Sequence, residues 1–289
     1  MASQQKIQQF LSIIKNFTPD ISITILEIGA RPFQDKSREP YWALLEMLPS
    51  AEIHAFEVDE SLCKQLNAET PKQVTYHPLA LGRPEKDRTF YETVNPMCSS
   101  LYKPNEALLN KYSQLEPAFL KAEHKLDTHA LDAFLEEQSI PSIDMIKIDI
   151  QGAELECFEH GLQALRTACY IHTEVEFVEV YEGQPLFRDI DAFLSSRDFM
   201  LQKFPYLDGR SLKPVQLPKE APISQLMWCD AIYIPNILTL AEKNDATLLK
   251  LALFAQMYHS PDLSFHCLSI VDERNNSDLT KQFAMLYNK

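Results

Sequence analysis

The sequence predicts an α/β fold built on a seven-stranded, doubly wound sheet that is mostly parallel. Three observations predict it. Short β-branched runs alternate with amphipathic helical segments from residue 21 onward, the pattern of a parallel sheet with right-handed crossovers. Three of these runs end in a glycine turn or in acids, at Gly29-Ala30, at Glu57-Val58-Asp59 and at Asp149-Ile150-Gln151-Gly152. Sheets of this class hold ligands at the carboxyl ends of their strands. Finally, residues 200–207 and 225–234 read as two late strands without a helix between them, which makes one edge antiparallel.

The elements follow in order. Ile7, Phe10, Leu11 and Ile14 stand at helical spacing in residues 3–17, and Pro19 and Asp20 stop that helix. Residues 21–28 form the first strand, 41–48 a helix and 52–58 the second strand; Leu62, Cys63 and Leu66 mark the helix after it. Residues 74–81 form a third strand closed by Gly82, and 88–93 fit a small extra strand. Residues 94–125 read as a long connection with a helical patch near Leu108, Leu115 and Leu120, a lid or substrate loop beside the ligand edge. A helix over 130–137 leads into the strand 143–150. The next helix runs from Glu154 through Leu155, Phe158, Leu162 and Leu165 on one face. Residues 169–177 are the fifth strand and 185–197 a further helix. From 237 the pattern is helical with weak periodicity. The expected organisation is an N-terminal helix (1–20), an α/β domain (21–235) and a helical extension (236–289).

Composition bounds the function. With 45% hydrophobic residues in 289 the chain can bury a large core. A net charge of −14 disfavours a nucleic-acid backbone as partner, because phosphate binding needs a basic face; a cationic small ligand fits better. The six cysteines are scattered without zinc spacing, as expected of buried thiols in a reducing compartment. Residues 1–15 lack a basic region followed by an apolar run, and no apolar stretch reaches membrane-spanning length. The expectation is a soluble, cytoplasmic protein with neither membrane nor nucleic-acid partner. The oligomeric state is not legible.

The chemistry concentrates at the strand tips. In Ile143-Asp144-Met145-Ile146-Lys147-Ile148-Asp149-Ile150 the residues Lys147 and Asp149 are two apart, so both face one side of a central strand. Burying them is costly unless they are paired or used. The turn Leu26-Glu27-Ile28-Gly29-Ala30 carries one glycine where a pyrophosphate site needs several, so a ligand without phosphates fits it, and Glu27 suits a cationic ligand group. Glu57 at the second tip can accept both hydroxyls of a ribose. Together they favour a nucleoside ligand lacking a pyrophosphate, with S-adenosyl-L-methionine the obvious choice. His172, Glu174 and Glu176 share one face of the fifth strand, a polar pocket wall. His124 and His129 stand as bases or exposed histidines. Asp230 is a pocket residue or a buried structural partner, and Tyr181 to Phe187 form an acceptor-side rim or plain packing.

Over roughly residues 22–234 the chain resembles the FkbM-type methyltransferases. The motifs that carry the resemblance are Glu-Ile-Gly-Ala, Ala-Phe-Glu, His-Pro-Leu-Ala-Leu-Gly, Ser-Ser-Leu, Leu-Asp-Ala-Phe-Leu and, most specifically, Ile-Lys-Ile-Asp-Ile-Gln-Gly-Ala-Glu-Leu-Glu. The resemblance implies a Rossmann-like class I methyltransferase fold, dependence on S-adenosyl-L-methionine, and methylation of hydroxyl oxygens on sugars or natural products. By motif, Glu27, Gly29 and Ala30 line the methionine end, Glu57 holds the ribose, Leu79 and Ala80 lie by the adenine, and Ser100 touches cofactor or substrate. One departure stands out. Arg31-Pro32-Phe33 replaces the family's asparagine and following glycine. Two readings stay open: Arg31 pairs with the cofactor carboxylate, or the turn is reshaped and binds weakly.

An alcohol acceptor benefits from a base or a metal that takes its proton. Asp149 is the first candidate, with Glu174 and Glu154 beside it. Three carboxylates also leave open a divalent metal ion. Two other functions compete: a non-catalytic interaction protein on a methyltransferase scaffold, and an NAD-type oxidoreductase, which the missing glycines disfavour.

Overall fold

A computed structural model describes residues 4–32, 39–218 and 221–287. In chain order it contains α1 (Gln4–Phe17), β1 (Ile23–Ile28), a 3-10 turn (Pro40–Ala43) leading into α2 (Leu44–Met47), β2 (Ala51–Phe56), α3 (Glu60–Glu69), β3 (Val74–His77), β4 (Ala80–Leu81) and β5 (Glu85–Thr93). There follow α4 (Glu106–Leu109), β6 (Leu120–His129), α5 (Leu131–Glu137), β7 (Met145–Ile148), α6 (Glu154–Glu159), α7 (Leu162–Thr167), β8 (Tyr170–Glu176) and α8 (Phe187–Ser195). The chain closes with β9 (Phe199–Arg210), β10 (Gln225–Pro235), α9 (Asp245–Met257), α10 (Pro261–Asn275) and α11 (Leu279–Ala284).

Seven strands form one sheet in the order β3-β2-β1-β7-β8-β10-β9. The first five are parallel, whereas β10 runs antiparallel to both β8 and β9. This is the Rossmann-like arrangement that the resemblance implied, antiparallel edge included. All four residues of β7 are buried, as expected of a central parallel strand covered on both faces. One face packs on α1, α9, α10 and α11 through Phe10, Ile14, Leu249, Phe254 and Leu268. The other packs on α5 to α8 through Phe134, Phe158, Leu165 and Ile190. Helix α9 is buried nearly all round, which explains the weak periodicity of its sequence. Lys250 of α9 pairs with Asp144, just before β7, at 2.8 Å. Among the described residues no helix is long and apolar enough to cross a membrane.

Three sequence expectations need correction. The third strand does not run to Leu81. Pro78 lacks the N–H that a ladder requires, so β3 stops at His77, and Ala80-Leu81 pair with Thr128-His129 of β6 instead. The expected loop over 94–125 ends in a strand, because β6 pairs antiparallel with β5 to give a second, three-stranded sheet, β4-β6-β5. Both strands are mostly solvated, so their hydrophobic pattern was faint; α4 is the only helical turn of that connection longer than three residues among those described. Lastly, the helix after Glu154 is two helices. A Cβ at Gly161 would lie 2.7 Å from Leu131 Cδ2 and 2.9 Å from the Cys157 carbonyl. Asp132 accepts from the Gln163 and Ala164 amides there, satisfying donors that the new helix start leaves free.

Candidate functional site

The tips of β1, β2 and β7 stand side by side where the strand order reverses, the place such sheets bind ligands. The second sheet closes the flank. Between them lies a cavity of about 560 Å³, within the size range of small-molecule sites. Gly29, Glu57, Leu79, Ala80, Ser100 and Asp149 line it, together with Arg31, Phe90, Met97, Leu101, His124 and Gln151.

Gly29 is required at the first tip for a local reason. Its φ is +82°, and a Cβ there would lie 1.9 Å from the Asp149 carbonyl oxygen, so only glycine lets this turn pass the end of β7. The Gly29 and Ala30 amides both donate to the Phe56 carbonyl, at 3.1 and 2.8 Å, which locks the turn onto the tip of β2. Ala30 itself is buried in the core. Glu27 does not line the cavity. Its carboxylate accepts from Trp42 Nε1 at 3.0 Å, and burial raises its pKa despite that bond.

Glu57 is buried, and its carbonyl neighbourhood is fixed by the Glu57 amide bond to His77. Among the described residues, its carboxylate accepts at Oε1 from the Asp59 amide at 2.9 Å and from Arg31 at 3.3 Å. Arg31 also reaches Asp59 Oδ2 at 3.3 Å. The guanidinium therefore bridges the first tip to the second. Asp59 in turn caps α3 by accepting from the Leu62 amide at 3.0 Å. Phe33, expected as part of the altered turn, lies outside the described residues.

At the third tip a network surrounds Asp149. Lys147 Nζ lies 3.4 Å from Asp149 Oδ2, and Gln151 Nε2 donates to Asp149 Oδ1 at 2.9 Å. Burial pushes Asp149 up, but the Lys147 charge and the Gln151 bond outweigh it and hold the carboxyl below its ordinary value. Among the described residues no cation forms an ion pair with Glu174, and Lys147 lies against Asp149 instead. Burial and the nearby charges of Asp149, Glu176 and Glu154 raise it well above the usual range. The Gln151 amide also donates to Glu174 Oε2, so one side chain bridges both acids. Gln151 is held in turn: Tyr181 Oη donates to its Oε1 at 2.7 Å, and Ser100 Oγ donates to its carbonyl at 2.6 Å. The pKa values of these two neighbouring carboxyls are thus driven in opposite directions.

Glu154 is turned into the protein. It is fully buried, and its carboxylate accepts from the Ile150 and Gly152 amides at 2.7 and 2.9 Å. Burial raises it to about 7. It shapes the turn that carries Asp149 and Gln151 and does not line the cavity. Glu174 does not line the cavity itself but meets both Asp149 and Gln151, which do. Among the described residues no group of three His, Cys, Asp or Glu could hold a metal ion, so the option of a divalent cation has no support; Glu154 is spent on backbone amides. His124 sits on the exposed rim, 2.7 Å from Glu92, and His129 is exposed. His172 lies 3.5 Å from Asp230 and does not line the cavity. Tyr181 is buried in a small third cluster.

Sequence reasoning passed over Gln151 as a site residue. The signal was its place between Asp149 and Gly152 in a turn, where its φ is +56°; a non-glycine in that region is uncommon and worth a functional question.

The family profile described as Methyltransferase FkbM domain matches residues 27–201. A protein named 2-O-methyltransferase NoeI from Sinorhizobium fredii (strain NBRC 101917 / NGR234) is 24% identical over 228 residues, 69% of this chain and 87% of that one. Two solved structures show weak similarity. The N-terminal domain of EvdMO1 in the presence of SAH and D-fucose aligns over 80% of this chain and 84% of its own at 9% identity, with a TM-score of 0.36. A putative methyltransferase from Thermoplasma acidophilum aligns over 75% and 69% at 8% identity, with a TM-score of 0.31.

Proposed function

The chain belongs to the FkbM methyltransferase family, and on that premise we propose that it is an S-adenosyl-L-methionine-dependent O-methyltransferase acting on a hydroxyl of a small acceptor such as a sugar. One observation carries the reading. Glu57 and Asp149, on strands separated by β1, line one cavity around the Gly29 turn. Similarity to a protein named as an O-methyltransferase supports oxygen as the accepting atom.

The residues fit the donor. Gly29 offers exposed backbone with no side chain in the way. Glu57 keeps Oε2 clear of hydrogen bonds from other described residues and so presents it to ribose hydroxyls. Leu79, Ala80 and Phe90 give an apolar wall for a purine. When bound, the donor supplies a methyl group on a positively charged sulfur. Asp149 then faces the acceptor hydroxyl, orients it for in-line attack and takes its proton as the new oxygen–carbon bond forms. Gln151 bonds to both Asp149 and Glu174 and holds the two carboxyls in place. Glu154 acts as a positioning residue for that turn.

Calorimetry with S-adenosylhomocysteine tests the donor site. Wild-type protein should bind, and Glu57→Ala should bind at least about tenfold more weakly, a loss of about 1.4 kcal/mol. No binding by the wild type would end the donor reading. With a sugar acceptor, Asp149→Asn should leave donor affinity nearly intact and slow turnover at least about tenfold, a threshold set below the roughly hundred- to ten-thousand-fold usual for acid–base catalysis; unchanged turnover would remove Asp149 from that role.

A further inference from the structure

Arg31 occupies a position that a methyl-donor site makes consequential. It stands two residues beyond Gly29, at the first strand tip, and lines the cavity. Its guanidinium contacts both carboxylates of the second tip, Glu57 and Asp59, each at 3.3 Å. Its side chain is 28% exposed, against 6% for Glu57, so it rests over Glu57 from the solvent side. Any nucleoside that uses Glu57 must therefore share that carboxylate with a cation. A guanidinium is never deprotonated and is always in need of an acceptor.

We propose that Arg31 makes this pocket selective for donors that carry an amino-acid carboxylate, over nucleosides that lack one. The inference rests on the donor reading above. Ribose hydroxyls compete with Arg31 for Glu57. A ligand with an α-carboxylate repays the guanidinium with a planar, two-oxygen partner of matching geometry. A ligand without one leaves Arg31 divided between Asp59 and water. Selectivity then arises from a penalty on the wrong ligand as much as from a gain with the right one. The side chain suits the exchange. It is anchored on the β1 turn, where the methionine end of the donor is expected, and its contacts at 3.3 Å are long for charge-assisted hydrogen bonds.

The test uses two neutral thioethers that differ in this feature. S-adenosylhomocysteine carries the amino acid, and 5′-methylthioadenosine ends in a methyl group. Calorimetry on the full chain measures both against wild type, Arg31→Met and Arg31→Lys. Arg31→Met should weaken S-adenosylhomocysteine and tighten methylthioadenosine, so that the dissociation constant of methylthioadenosine divided by that of S-adenosylhomocysteine falls at least about tenfold. Arg31→Lys, which keeps the charge but not the fork, should give an intermediate ratio. A purely structural role for Arg31 moves both ligands in the same direction by similar factors; that result, or no change in either, overturns the proposal. Wild-type protein that binds neither ligand overturns the donor reading itself, and this inference with it.

Discussion

Replacing Lys147 by methionine isolates the charge that sets Asp149. The two groups stand 3.4 Å apart, with Lys147 10% and Asp149 27% exposed. Unit charges at that distance attract by about 5 kcal/mol at an effective dielectric of about 20. At 1.36 kcal/mol per unit this caps the effect at roughly 3 to 4 pKa units. Water reaches Asp149 from the cavity side, and the Gln151 bond remains in the variant, so a rise of about 1 to 2 units is expected, inside the range for one neighbouring cation. The assay is a ¹³C titration of the Asp149 carboxyl, assigned by its loss in Asp149→Asn. The sign is definite. In the wild type the folded pKa is depressed, so Asp149 contributes stability that is full above the unfolded value and is lost as pH falls through the folded one. In Lys147→Met that contribution shrinks, and urea denaturation should show a cost of about 2 kcal/mol near pH 7, below the 3–5 kcal/mol of a fully buried broken pair because Asp149 can reach water. An unmoved titration in a variant with native near-ultraviolet dichroism would refute the idea that Lys147 governs Asp149.

Three further outcomes are expected. Gly29→Ala should cost more than the roughly 1–2 kcal/mol of a left-handed backbone alone, because its Cβ meets the Asp149 carbonyl; urea midpoints measure it, and a smaller cost would contradict the close approach. Glu156→Gln breaks a buried pair with Arg88 Nη1 at 2.5 Å and a bond from Tyr102 at 2.6 Å, so about 3–5 kcal/mol should be lost at neutral pH. Burial opposes them, but these partners hold Glu156 at about 2; the gap between wild type and variant should therefore be full above pH 4.5 and close as pH falls towards 2. Burial and the His54 neighbour lower His77 to about 4. Stability should thus be lost as pH drops from 6.5 towards 4, and His77→Phe should flatten that slope in Tm against pH.

Much of the architecture was legible because local signals agreed. The apolar runs at β1, β7 and β8 are buried on both faces, so composition alone marks them as strands. The missing sheet shows the opposite case. Leu120 to His129 alternates charged with small or half-buried residues, and its pairing with β5 is satisfied by partners about 30 to 40 positions away, which no local window contains. Helix α6 was misjudged for a related reason: the stop at Gly161 comes from Leu131, on another helix.

The sequence by itself determined which strand tips carry acids and glycine, and with them the fold and the family. Register and packing decided what those acids are. Asp149 and Glu174 are the same kind of group at adjacent tips, yet Asp149 forms the ion pair with Lys147, so its pKa is held down while burial beside other acids drives that of Glu174 up. Glu154 reads like its neighbours but is consumed by two backbone amides, and Arg31 turns to Glu57 and Asp59. Arg31 meets Glu57 and Asp59 across 26 and 28 residues, and Gln151 meets Glu174 across 23, and such contacts exist only once the sheet has formed.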